Sequence, residues 1–204
     1  MYIPQHYKNE DTDAVRAFIH GNGFAILVSQ VDAKPWATHI PLYLDKNSDG
    51  KDVLIGHISR SNKQWKDFDK NEEVLAIFSG PHAYVSSSWY DHENVPTWNY
   101  LAVHVYGNVR IVAGEQLKDQ LGKLVDKYES GMQNPVSVNG MSKEFVDREM
   151  RGIVGFEIEI TRIQAAMKLS QNRDENNYDR VVKALEAQGD MDSVEIAKLM
   201  KKRK

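Results

Sequence analysis

The chain has 204 residues, 41% hydrophobic and 27% charged, and its 26 Lys+Arg against 29 Asp+Glu leave a net charge of −3. That composition belongs to an ordinary globular chain and excludes a disordered or low-complexity one, and it lacks the basic excess of a protein held to phosphate backbones by its own field. The absence of cysteine excludes a disulfide framework, a thiolate metal site and a Cys nucleophile, and makes a cytoplasmic location the expectation.

The opening MYIPQHYKNEDTD has neither the basic nor the apolar segment of a cleavable signal, and the longest apolar run, residues 24–28, is far below the ~20 residues of a spanning helix. No membrane association is expected. Val15, Phe18 and Ile19 follow the capping-type residues Asp11 to Asp13 at helical spacing, and Gly21 stands where a helix stops. From Phe24 onward the pattern turns to short β-rich runs: 24–29, 36–44, 53–58, 74–80 and 83–87, with turn chemistry at 45–50. Residues 62–68 read as a helical turn or two. A strict period of two over 98–112 predicts a long half-buried strand, and 154–169 predicts another. Between them lie two helices, 115–128 with Leu117, Leu121, Leu124 and Val125 on one stripe, and 143–150 behind Ser142 as N-cap.

After Arg173 the strands stop. Tyr178, Val181, Val182 and Leu185 predict a helix ending near Gly189, and Asp192 with Glu195 predict a capping box for a last one. Short strands in succession, then strands separated by helices, argue for a mainly β fold with α elements: a small antiparallel barrel decorated with helices. The expected division is one domain over residues 1–173, with residues 174–204 a C-terminal helical extension packed on it.

No dinucleotide fingerprint, P-loop, H-E-x-x-H or G-x-S-x-G motif is present, and the seven His residues are too scattered to suggest a metal site. Three polar clusters remain. Thr38 and His39 interrupt an apolar strand, while His57 ends another and runs into Arg60, Ser61, Asn62 and Lys63; this turn opening a helix offers an anion hydroxyls, amides and charge. It reads alternatively as a capped, solvated turn. Trp89-Tyr90 and Trp98-Asn99-Tyr100 bracket a polar loop, either to stack a planar ligand or to serve as core or interface aromatics. Lys168, Ser170, Gln171, Asn172 and Arg173 form a dense donor set, or a solvated connection before a helix.

MYIP at 1–4, ATHIPL at 37–42, GHISRSNKQW at 56–65, FSGPHAYVSSSWY at 78–90, VPTWNY at 95–100, AVHVYG at 102–107, IVGFEIEI at 153–160 and KLSQNR at 168–173 resemble the PaiB-like family of FMN-binding negative transcriptional regulators. The resemblance implies an FMN-binding split β-barrel, a homodimer, FMN held between subunits, and kinship with pyridoxamine-phosphate oxidases. In those oxidases a strand end followed by Ser-Arg-Lys holds the flavin phosphate; here Gly56-His57 and Ser61-Asn62-Lys63 stand at the same spacing, with one permanent charge fewer. The cofactor residues it implies are Thr38, His39, His57, Arg60, Ser61, Asn62, Lys63, Trp98, Asn99, Lys168, Gln171 and Arg173. Flavin-dependent redox activity is the leading expectation. The alternative is a non-catalytic regulator that binds flavin, a partner protein or DNA, and haem chemistry on the same barrel is a third. No groove-reading helix is recognisable, so direct DNA contact is expected to rest on the basic tail 201–204 alone.

Overall fold

A computed structural model of the chain describes residues 1–70 and 73–202. Its strands are β1 (Phe24–Val31), β2 (Lys34–Pro41), β3 (Tyr43–Lys46), β4 (Asp52–Ser59), β5 (Val74–Val85), β6 (Thr97–Val112) and β7 (Ile153–Lys168). The helices are α1 (Thr12–Gly21), α2 (Gly114–Glu129), α3 (Lys143–Arg151), α4 (Glu175–Gln188) and α5 (Met191–Lys202). The strands form one sheet in the order β2-β1-β5-β6-β7-β4-β3, with β1 antiparallel to β2 and β5, and β4 antiparallel to β3 and β7.

Most elements follow the periodicity that predicts them, and the departures have local causes. The apolar run 36–44 becomes two strands because Pro41 has no N–H to continue a ladder; the next amide, Leu42, donates instead to the Gly23 carbonyl at 2.8 Å, and its side chain is fully buried. The runs 74–80 and 83–87 become one strand, β5. Strand β1 pairs with its Leu75, Ala76 and Ile77, and Pro81 lies past that segment. Ser142 caps α3 through the Phe145 amide as expected, and Gly189 ends α4 at φ 77°. The last helix is capped differently. Asp190, not Asp192, accepts from the Ser193 amide at 2.9 Å, and Asp192 lies inside α5.

The chain divides into two compact units, residues 1–18, 79–104 and 164–204 in the first, residues 19–78 and 105–163 in the second. In the first, the core is built from Val85, Leu101 and Val103 with Val181, Leu185, Ile196 and Met200 of the last two helices, and the Tyr178 hydroxyl donates to the Met200 carbonyl at 2.8 Å. In the second, Leu27, Leu42, Leu54, Phe68, Phe78, Phe156 and Ile158 are buried, and the rings of Phe68 and Phe156 meet edge to face at 5.3 Å. Arg203 and Lys204, half of the basic tail, lie outside the described residues.

Candidate functional site

In the second unit the site begins at the end of β4. Gly56 is required there by close packing: a Cβ would stand 2.7 Å from the Leu42 side chain and 3.1 Å from the Phe156 ring. His57 follows, half-buried, with its Nδ1 sealed and unpartnered, and burial holds its pKa below the usual histidine value. The chain then turns through Arg60, Ser61 and Asn62 into a 3-10 helix, Lys63–Lys70.

A hydrogen-bond network fixes this turn. The Asn62 Oδ1 accepts from the Gln64 amide at 3.0 Å, and its Nδ2 donates to the Thr38 hydroxyl at 2.9 Å. That hydroxyl donates in turn to Gln64 Oε1 at 2.6 Å. Gln64 is fully buried and donates through Nε2 to the Leu27 carbonyl at 3.1 Å and the Ser29 hydroxyl at 3.0 Å. Every polar atom of its side chain is thereby used, and Thr38 of β2 is tied to the turn. Arg60 is not aimed at an anion: Nε and Nη2 donate to the carbonyls of Arg151 and Ile153 at 2.9 and 2.8 Å. Its own carbonyl accepts from the Trp65 indole at 2.9 Å. What remains free is the Ser61 hydroxyl and the Lys63 ammonium, both exposed and in no side-chain hydrogen bond or ion pair among the described residues. His39 is exposed on β2, its ring 6.1 Å from that of Phe24.

The other predicted residues belong to the first unit, so the structure groups Thr38, His57, Arg60, Asn62 and Lys63 in one unit and Trp98, Asn99, Lys168, Gln171 and Arg173 in the other. Asn99 is fully buried and exchanges two hydrogen bonds with Ser170, at 3.0 and 3.1 Å. Ser170 holds φ 55°, a left-handed conformation uncommon outside glycine, and is buried. Gln171 is consumed locally: its amide nitrogen donates to the carbonyls of His6 and Met167, and its oxygen accepts from the Leu169 amide. These two amides are therefore scaffold for the turn that carries Lys168 and Arg173. Lys168 bonds the Thr97 hydroxyl and lies 5.5 Å from the centre of the Tyr7 ring, while the Arg173 guanidinium lies 4.9 Å over Tyr90. Trp98 is half-exposed and walls a cavity of about 580 Å³ with His82, Tyr84, Trp89, Asp190 and Asp192. Tyr84 meets it edge-on at 5.8 Å, and His82 Nδ1 lies 3.4 Å from the Asp192 carboxylate.

Sequence reasoning passed over Gln64 and Tyr7 as site residues and left Tyr90 between a ligand-stacking and a core or interface role. Gln64 stands within the quoted run GHISRSNKQW, but nothing in the sequence marks it as buried, because its partners Leu27 and Ser29 are more than 30 residues away.

Residues 1–162 match the family model described as "Putative FMN-binding domain". The chain is 42% identical over 200 residues to the protease synthase and sporulation protein PAI 2 of Bacillus subtilis, covering 98% of this chain and 96% of that one. Among solved structures it is similar to an FAD and heme binding protein of Mycobacterium smegmatis, with TM-score 0.61, 12% identity, and 79% and 73% of the two chains covered. It is similar also to the flavocytochrome Anf3 of Azotobacter vinelandii, with TM-score 0.61, 15% identity, and 87% and 78% covered. At such identities the likeness establishes the fold, which is the split barrel with added helices that the motifs imply.

Proposed function

The chain belongs to the family of this FMN-binding domain, and from that premise we propose that it holds FMN by its phosphate at the turn after β4, as a homodimer with flavin-dependent redox activity. The observation that carries the reading is the pair of free donors, Ser61 and Lys63, on a turn otherwise locked by Asn62, Gln64 and Thr38. The donor set fits a phosphate: one hydroxyl, one permanent cation, and no carboxylate on the turn from Ser59 to Gln64. Arg60 supports it indirectly, anchoring the turn to Arg151 and Ile153. Thr38 and Asn62 orient the donors, and a neutral His57 faces the ligand without adding charge. When bound, FMN supplies one- and two-electron transfer through its ring system. On this reading His39 is ligand-facing in the second unit, while Asn99 and Gln171 hold the backbone of the first.

A second reading has a specific support: the Bacillus relative is named for protease synthesis and sporulation, which favours flavin binding in the service of regulation. NAD(P)H oxidation in the presence of FMN separates the two, since a non-catalytic regulator gives no turnover; the absorbance spectrum separates flavin from haem.

The direct test is Lys63→Ala. A charged hydrogen bond contributes roughly 1.5–3 kcal/mol, so the change should weaken FMN about ten- to a hundredfold and leave riboflavin, which has no phosphate, nearly unaffected. Equal losses for both ligands would reject the turn as the phosphate site.

A further inference from the structure

Lys168 and Arg173 of the first unit meet no carboxylate among the described residues. Lys168, half-buried at the end of β7, touches the Thr97 hydroxyl and the face of Tyr7. Arg173 lies over the ring of Tyr90, and its guanidinium makes no hydrogen bond or ion pair among the described residues. Two acidic side chains nearby in sequence hydrogen-bond elsewhere: Asp174 accepts from Asn177 at 2.8 Å, and Asp91 from Asn176 at 2.8 Å and Asn177 at 2.9 Å, with His92 at 2.7 Å.

The two charges also press on each other. Burial first, and the Arg173 charge second, hold the Lys168 pKa below the usual lysine value, and burial raises that of Tyr7. Two other cations are matched by carboxylates. Arg110 meets the buried Glu157 at 3.3 Å and Lys123 meets Asp45 at 2.5 Å. Lys127, with no carboxylate partner among the described residues, lies against the rings of Tyr43 and Tyr128 instead. Two partly buried cations that repel each other across one short turn, with no carboxylate bonded to either among the described residues, are unfavourable unless something else supplies the negative charge.

A third group points the same way. Tyr90 is 5% exposed, and its hydroxyl is sealed from solvent with no partner. A buried donor left unmade is costly, and native structures rarely keep one without use. The backbone between the cations is held under strain. Ser170 sits at φ 55° with its side chain locked to Asn99, and the Arg173 amide closes the turn onto the Ser170 carbonyl at 3.0 Å. Such conformations persist where the surroundings over-determine them, and they cluster at ligand clamps.

We propose that Lys168 and Arg173, with the Tyr90 hydroxyl as a third donor, form a site for the carboxylate or phosphate group of a small ligand. The assignment does not depend on flavin. Arg173 lies over the Tyr90 ring with no guanidinium N–H in a hydrogen bond among the described residues, so its fork can meet two oxygens, while Lys168 adds a mobile point charge.

The test is titration of the flavin-free full-length chain with sodium phosphate and, separately, with sodium acetate, against chloride at equal ionic strength, by calorimetry and tyrosine NMR. Saturable binding is expected, and the tighter of the two ions tells a phosphate ligand from a carboxylate one. Arg173→Gln and Lys168→Met should each weaken that ion at least about tenfold. Arg173→Lys, which keeps the charge and loses the fork, should weaken it less. Tyr90→Phe should also weaken the ion, yet raise the melting temperature of the unliganded protein, because it removes a buried hydroxyl that has no partner. Lys63→Ala should leave this binding unchanged even where it weakens FMN. No saturable binding of either ion, or binding indifferent to Arg173→Gln and Lys168→Met, overturns the site. So does loss of the small ion in Lys63→Ala, which would place it at the other turn.

Discussion

Gln64 is the residue whose replacement tests most directly whether the turn after β4 is pre-built. Gln64→Leu keeps the volume of a fully buried side chain but deletes three hydrogen bonds: from Nε2 to the Leu27 carbonyl and the Ser29 hydroxyl, and from the Thr38 hydroxyl to Oε1. Leu27 is fully buried, so its carbonyl loses a partner that water does not replace, at about 1–3 kcal/mol. Ser29 and Thr38 are half-buried and can turn toward solvent, so each loss costs only about 0.5–1.5 kcal/mol. A total near 4 kcal/mol lowers the melting temperature of a chain this long by roughly 8–16 °C. Thermal unfolding followed by circular dichroism and calorimetry measures it. FMN affinity should fall too, although Gln64 is not assigned to the ligand, because Asn62 and Thr38 lose their common anchor. A melting temperature within about 2 °C of wild type would refute the network as a structural element. A large drop with unchanged FMN affinity would refute its role in presenting Ser61 and Lys63.

Three further outcomes are expected. Ala33→Gly should stabilise the protein by about 0.5–1 kcal/mol in chemical denaturation, because Ala33 holds φ 57° at the tip of the β1–β2 hairpin, where a Cβ is penalised. Stability should fall with acid as pH drops below about 6.5, since burial depresses the His57 pKa and the unfolded state then binds the proton more readily; His57→Gln should flatten that part of the curve, and an unchanged slope would exclude His57 as its source. Light scattering at micromolar concentration should report a dimer, and a monomer with and without FMN would remove the shared-site reading.

Much of the fold is legible because it is written in local pattern. The alternation over 98–112 and the stripe of Leu117, Leu121 and Leu124 yield β6 and α2 within a residue or two at each end. Punctuation is less legible where two residues compete for one role. Asp190 and Asp192 both offer an N-cap carboxylate, and only the choice of first turn decides for Asp190. The β1–β2 hairpin has Asp32-Ala33 at its tip, both at positive φ, where the familiar signal would be Asn-Gly or Asp-Gly. Its geometry is imposed by the register Val31 to Lys34 and on through Phe24 to Pro41.

The site follows a different rule, because a residue's chemistry is read from its type but its availability from its partners. Arg60, Ser61, Asn62 and Lys63 look alike as donors in the sequence, yet Arg60 and Asn62 are spent on Arg151, Ile153 and Thr38 while Lys63 is not. Asn99, Gln171, Lys168 and Arg173 divide in the same way, two amides closing the turn and two cations left without a carboxylate among the described residues. The same logic separates Arg110 and Lys123, which find Glu157 and Asp45 more than 40 residues away, from the cations that meet no carboxylate among the described residues. Those long-range pairings exist only once the sheet has formed, and charge left over after them is what a ligand can use. A cation that the fold neutralises contributes to the scaffold; one that it desolvates and leaves unmatched is a standing cost to folding, which binding of an anion relieves.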